Sequence, residues 1–234
     1  MKSYTIIQFI LRSALDITET SPSSTSTADL IARSLRADIM HGKLKSEQPL
    51  RQDEIAAKFG VSKIPVREAL SQLKAEGLVN FFPNRGAAVS KLSLAEVDEI
   101  YVMRIALETT ALRRAIPHLT IANLTQAEEI LDTIDREQNV ARWGEFNWEF
   151  HATLYSPSNL PRLIEWIKTL HINVARYLVI YLAGMDYQKV SQNEHREILE
   201  ACRRGDVEAA IAHLTQHLQS ASNHLVAFLD RKEP

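Results

Sequence analysis

Cysteine is almost absent. Cys202 stands alone among 234 residues, so no internal disulfide can form, and a reducing cytoplasm is the expected setting. Glycine is scarce as well, at seven, which argues against a turn-rich all-β fold. Long apolar runs are missing. "YLVIYLAG" at 177–184 is too short to cross about 30 Å of hydrocarbon as a helix, so no membrane role is expected. The N-terminal "SYTIIQFILRSAL" is interrupted by Arg12, and "DITETSPSSTSTAD" after it has no small-residue cleavage pattern, which argues against a secretory signal. No internal repeat is found.

What is present is ordinary soluble composition, 45% hydrophobic and 24% charged, in a chain long enough for two modest cores. The net charge of −2 hides an asymmetry. Residues 1–92 carry 13 Lys plus Arg against 9 Asp plus Glu, and the remainder carries 14 against 20. A front half at +4 and a back half at −6 point to a polyanion partner for the front alone.

The Ser/Thr-rich "TETSPSSTSTAD" reads as a linker, leaving 1–27 as an extension of flexible composition. Helical spacing follows in "ADLIARSLRADIMHGKL", in "RQDEIAAKFG" and in "SKIPVREALSQLKAEG", stopped at Gly42, Gly60 and Gly77. Ser62 is the expected N-cap of the third helix, which makes Pro65 a first-turn residue, where a missing N–H costs nothing. "LVNFF" and "AAVSK" around Pro-Asn-Arg-Gly read as a two-stranded hairpin. Three helices and a hairpin describe a winged helix-turn-helix over 28–92. From Ser93 the chain reads as helix throughout. Capping boxes are expected at "SLAE" (93–96) and "TQAE" (125–128), and later helices near 141–156, 160–183, 188–204 and 207–229. The expected fold is mainly α: the winged unit, then an antiparallel all-helical bundle over 93–234.

In a helix-turn-helix the second helix enters the major groove N-terminus first. Here that end carries Ser62, Lys63 and Ile64, with Arg67 one turn on. Backbone N–H groups and the Ser62 hydroxyl suit a phosphate, and Lys63 suits guanine or phosphate. Arg67 suits a bidentate contact. The wing tip, Asn84, Arg85 and Gly86, puts Arg85 where it could enter a minor groove. A protein-binding module with a solvated basic face remains the alternative at this point.

The stretch "PLRQDEIAAKFGVSKIPVREALSQLKAEGLVNFFPNRGAAV" resembles the DNA-binding domain of GntR-family bacterial transcription regulators through "PVREAL…L…GLV…RGA.V". The resemblance implies a homodimer on a two-fold symmetric operator in double-stranded DNA. It implies contacts from Ser62, Lys63, Arg67 and the wing. Two departures stand out: Asp53 where members often carry arginine, and Lys63 for a commoner arginine.

In the back half, Asn147 and His151 lie four apart in "NWEFH", and His195 and His217 fall on the last two helices. Three histidines from three helices could hold zinc or another divalent metal, and His213 competes with His217. His41, His118, His171 and His224 read as ordinary. Arg104 and Glu108 share a helical face, either as a surface pair or with Arg104 facing a pocket. Arg176 interrupts an apolar run. Residues 93 to about 229 resemble the FCD effector domain of the FadR-like branch, whose metal-binding members carry Asp-x-x-x-His, a later "EH" and a final histidine. That resemblance implies a divalent metal, zinc or nickel, on His151, His195 and His217 with Asn147 in place of the aspartate, and it favours His217 over His213. It also implies a small carboxylate effector held by Arg104, with Arg176 as second candidate. The resulting reading is a regulator, usually a repressor in this family, and not an enzyme. A metal-dependent hydrolase using the same histidines is the alternative, but no His-Glu-x-x-His pairing is present.

Overall fold

The computed structural model describes residues 26–83, 85–137, 139–182 and 187–231. The expectations for 1–25 and for Asn84 lie outside the described residues.

The front half folds as the apolar spacing requires. Helix α1 (Thr27–Met40) starts at Ser26, whose hydroxyl accepts from the Asp29 N–H while the Asp29 carboxylate accepts from the Ser26 N–H. Helix α2 (Gln52–Phe59) ends on Gly60 in the left-handed region, and α3 (Lys63–Ala75) follows after a short turn. Ile31, Leu35, Ile39, Val66, Leu70 and Leu73 close the first core with Leu78 beneath the sheet residues Val79, Ala87 and Val89. Ser62 holds the N-cap backbone position of α3, but its hydroxyl makes no cap bond, which corrects the expected side-chain cap.

The hairpin is really a three-stranded antiparallel sheet. Strands β2 (Val79–Phe82) and β3 (Gly86–Val89) pair as expected, and β1 (Pro49–Leu50) adds to the far side of β3. Two residues beginning with proline carry no periodic signal, so β1 is invisible in the sequence.

The back half is helical: α4 (Leu94–Ala115), α5 (Ile121–Arg136), α6 (Val140–Tyr155), α7 (Pro161–Leu182), α8 (Tyr187–Arg203) and α9 (Val207–Asp230). Ser93 and Glu96 make the expected capping box, and Asp206 caps α9 after Gly205. "TQAE" does not cap anything. Helix α5 begins at the preceding Thr120, whose reciprocal partner is Asn123, so residues 125–128 lie within the helix. Thr120 is the better start because Leu124, which packs against the core, already lies within the helix. A second core, including Val97, Leu112, Leu131, Phe150, Leu154 and Leu214, fills this half. Among the described residues no helix is long and apolar enough to cross a membrane.

The two halves meet along α7. Ile172 packs on the first core, Tyr177 Oη accepts from the Leu92 N–H at 2.8 Å, and α1 lies against α7. Gly77 sits opposite Asn173 with φ of +74°, and a Cβ there would stand 2.3 Å from Asn173 Oδ1. Both the backbone and the contact therefore require glycine. Gly77→Ala is expected to destabilise the chain by about 1–2 kcal/mol from the left-handed conformation. Adding Asn173→Ala should recover only the steric part, as read by denaturant midpoints of the two variants.

Candidate functional site: a nucleic-acid face and a three-histidine cluster

At the first site, α3 opens with no acidic residue in its first turn, so its N–H groups and positive dipole end face outward uncompensated by a carboxylate of their own turn. Ser62, Lys63, Ile64 and Arg67 are all exposed, Ile64 at 68%. An exposed isoleucine at this helix start suits contact with a thymine methyl. Arg85 and Gly86 follow the wing turn, in which the Arg85 N–H donates to the Phe82 carbonyl. Lys63, Arg67, Arg85 and Gly86 line one groove of about 670 Å³ together with the first turn of α2. Ser62 and Ile64 stand beside it at the start of α3. Within the groove Lys63 Nζ lies 2.6 Å from Asp53 Oδ1, and Arg67 Nε donates to Gln52 Oε1 at 3.1 Å.

At the second site, α6 carries Asn147, His151 and Tyr155 at successive four-residue steps, α8 carries His195 and α9 carries His217. All three histidines are buried, and one ring nitrogen from each lies within 4.8 Å of the others. Asn147 is buried on the same face of α6, one turn before His151. His213 stands apart, a third exposed and 3.3 Å from Glu197, so the structure separates it from the cluster.

The hydrogen bonds fix the tautomers. His217 Nδ1 lies 2.8 Å from Glu194 Oε2, and a carboxylate can only accept, so Nδ1 carries the proton. His195 Nδ1 lies 3.2 Å from Gln192 Oε1. That amide is oriented by Nε2 donating to the Leu131 carbonyl and to Asp135, so its oxygen accepts from His195. Tyr155 Oη donates its single proton to Glu108 Oε2 at 2.8 Å and must accept from His151 Nδ1 at 3.2 Å. Each imidazole thus gives Nδ1–H away from the cluster and leaves Nε2 as a lone-pair donor. Nε2 of His151 and of His195 are fully buried with no hydrogen-bond partner, a state that ordinary packing avoids and metal ligation relieves. Burial, then the neighbouring imidazoles, pushes His151 well below its usual range, and burial followed by His217 does the same for His195. Both rings are therefore neutral at pH 7, as ligation needs. The donor set fits a divalent metal with nitrogen preference.

Arg104 is buried and its Nε donates to Glu108 Oε1 at 2.6 Å, so the surface-pair alternative is replaced by a buried pair linked through Tyr155 to His151. The Arg104 guanidinium lies 5.0 Å from the Tyr101 ring, whose buried hydroxyl has no partner. Arg176 lies on α7, and its side chain is outside the described residues. His171, read as ordinary, is buried against Trp148 and lowered to about 3 by burial and then by Arg104. It lines a cavity of about 300 Å³ between α1, α6 and α7. Burial pushes the Cys202 thiol up to about 12, which makes it a poor nucleophile. Glu194 is committed behind His217 and Glu149 is exposed, so neither stands as a hydrolytic base ahead of the cluster.

The supporting residues were missed in the sequence. Tyr155 and Gln192 each lie one helical turn from a histidine and could have been found by i+4 and i−3 spacing. Glu194 reaches His217 across two helices, and nothing local signals it.

Removing one partner of the buried Arg104–Glu108 pair leaves an uncompensated charge. Glu108→Ala is therefore expected to cost about 3–5 kcal/mol in chemical unfolding, and Glu108→Gln, which keeps an acceptor but not the charge, most of that.

Residues 27–89 match the family described as bacterial regulatory proteins, gntR family, and 99–220 match the FCD domain. The chain is 31% identical over 196 residues to the HTH-type transcriptional repressor RspR of Escherichia coli, covering 82% of this chain and 86% of that one. A solved GntR-family transcriptional regulator from Pseudomonas syringae is 32% identical, with a TM-score of 0.57 over 97% of this chain and 94% of that chain. The fold of E. coli McbR/YncC superposes with a TM-score of 0.76 at 24% identity, covering 87% and 99%. The FCD match spans more than half of the chain, and with the gntR match before it the assignment follows: this chain belongs to the GntR family of bacterial transcription regulators, in the branch that carries an FCD domain.

Proposed function

We propose that the protein is a ligand-responsive repressor that binds a two-fold symmetric operator as a homodimer. Residues 28–92 form its DNA-binding domain, and 93–234 its effector-binding and dimerisation domain. The similarity to a protein named as a repressor supports the sign of regulation. Ser62, Lys63, Ile64, Arg67, Arg85 and Gly86 meet the duplex, the first by phosphate positioning and Lys63 and Arg67 by base contacts. Asn84 belongs to the same wing tip.

The observation that carries the sensing half is the pair of buried, partnerless Nε2 atoms on His151 and His195 beside His217. These three nitrogens hold a divalent metal, zinc or nickel, with the neutral Asn147 carboxamide as a fourth donor. When bound, the metal supplies a Lewis-acidic point of attachment for a small carboxylate. Arg104 spends one of its five N–H donors on Glu108 and offers the others to that carboxylate. A ligand that favours one arrangement of the two DNA-binding domains over another shifts operator affinity by that difference in binding free energy.

Metal analysis by native mass spectrometry tests the reading directly. One divalent ion per chain is expected in the wild type, with loss on His151→Ala, His195→Ala or His217→Ala. Glu194→Gln, which weakens the orienting bond behind His217, should lower metal affinity roughly 10–100-fold. A wild type that takes up no zinc or nickel, or three alanine variants that bind it as the wild type does, would remove the metal from the reading. For the DNA half, Arg67→Ala should weaken operator binding and reduce its salt dependence by about one phosphate-equivalent if Arg67 reaches the backbone, or relax one base position if it reaches a guanine.

A further inference from the structure

Three consecutive side chains at the start of α2 engage three cations of the DNA-facing groove. Gln52 accepts from Arg67, Asp53 meets Lys63, and Glu54 Oε1 lies 3.3 Å from Arg51 Nη1. Two carboxylates on a face meant for a polyanion oppose phosphate binding. The ion pair does not account for Asp53, because its side chain is 78% exposed and that of Lys63 is 56% exposed, and an open ion pair contributes little. Its place in the first turn of α2 suits the helix dipole, but Glu54 beside it already supplies that charge. Asp53 therefore has a cost on this face that its small structural return does not explain.

Base recognition supplies the return. A guanine·cytosine pair shows the major groove two acceptors, N7 and O6, followed by the cytosine N4 amino donor. O6 and N4 of that pair are hydrogen-bonded to each other at about 2.9 Å. Lys63 Nζ and Asp53 Oδ1 stand 2.6 Å apart, a donor beside an acceptor at nearly the same spacing. We propose that Asp53 and Lys63 read one guanine·cytosine pair together, Lys63 donating to guanine N7 and O6 while Asp53 accepts from cytosine N4. Lys63 has three N–H donors, so it keeps Asp53 and still serves both guanine acceptors. A thymine·adenine pair also sets an acceptor beside a donor, yet it offers Lys63 one acceptor and a methyl where guanine offers two acceptors. Over the remaining pairs, or over phosphate, the Asp53 carboxylate finds no donor and is repelled, so it selects by exclusion. Arg51, Gln52 and Glu54 hold the first turn of α2 in the groove but are not part of the reading pair.

The inference rests on the operator reading above and extends it to a base pair. Its test is enrichment of randomised duplexes by the full-length protein, followed by titration of the recovered site and of single-pair replacements. The wild type should recover a fixed guanine·cytosine pair at one position of each half-site and lose roughly 10–100-fold in affinity when that pair is changed. Asp53→Ala should bind scrambled duplex more tightly than the wild type does and discriminate less than about three-fold at that position, other positions unchanged. Lys63→Ala should lose the same preference together with overall affinity. Asp53→Asn, which keeps the shape, guards against a folding artefact and should gain affinity for scrambled duplex as the alanine variant does. If both Asp53 variants discriminate at every position as the wild type does, or weaken all duplexes equally, the pairing is overturned and the operator reading stands. A wild type that enriches no sequence overturns both.

Discussion

Three imidazoles buried side by side are the constraint around which the helical half is arranged. A buried ring nitrogen without a partner is costly, so each histidine must hand its Nδ1 proton to an oxygen outside the cluster. Meeting that demand recruits Tyr155 and Glu108 for His151, Gln192 for His195 and Glu194 for His217. The recruits have needs of their own. Glu108 is buried and takes Arg104 as counter-ion, and the Gln192 amide is tied to the Leu131 carbonyl and to Asp135 on α5. From one cluster the polar chain thus reaches α4, α5, α6, α8 and α9. What it leaves unsatisfied at the cluster is the inward Nε2 atoms of His151 and His195.

Helix α7 supplies no member of the cluster, yet it touches both halves of the chain. It packs against α4 and α6, which carry Arg104 and His151, and it offers Ile172, Asn173 and Tyr177 to the winged unit. His171, held neutral by burial, lies on this same helix beside Trp148 and faces the cavity at the junction. Within one chain, a rearrangement of α4 or α6 therefore meets the DNA-binding half through a helix whose contacts to it are both apolar and polar.

Legibility in the sequence followed the range of the interactions. Helices announced by apolar spacing and a glycine stop, such as α2 ending on Gly60, could be read to within a residue, because the signal is local. Strand β1 could not, since two residues have no period and its pairing partner Ala88 lies some forty residues on. The start of α5 was misplaced because Thr125 and Glu128 satisfy the same local pattern as Thr120 and Asn123, and only the packed helix decides between them. At the histidine cluster the three rings were legible through spacing and family pattern. The choice of His217 over His213 needed that pattern, and Glu194 needed coordinates. Arg104 and Glu108 were legible as a pair, but not as a buried one, because i,i+4 spacing is the same on either face of a helix.

The two functional ends obey opposite electrostatic rules. At the DNA face, charges are exposed, paired across water and screened at a distance of about 8 Å in physiological salt, so their effect on binding is graded by ionic strength. At the cluster the charges are shielded: His151 and His195 are neutral, the Arg104–Glu108 pair is buried, and salt does not reach it. Rising salt should therefore loosen the grip on DNA without disturbing the histidine cluster. On the proposed reading, that separation would keep the response to a ligand fixed while the hold on the duplex varies, and the link between the two ends would be mechanical, carried by helix packing rather than by a field.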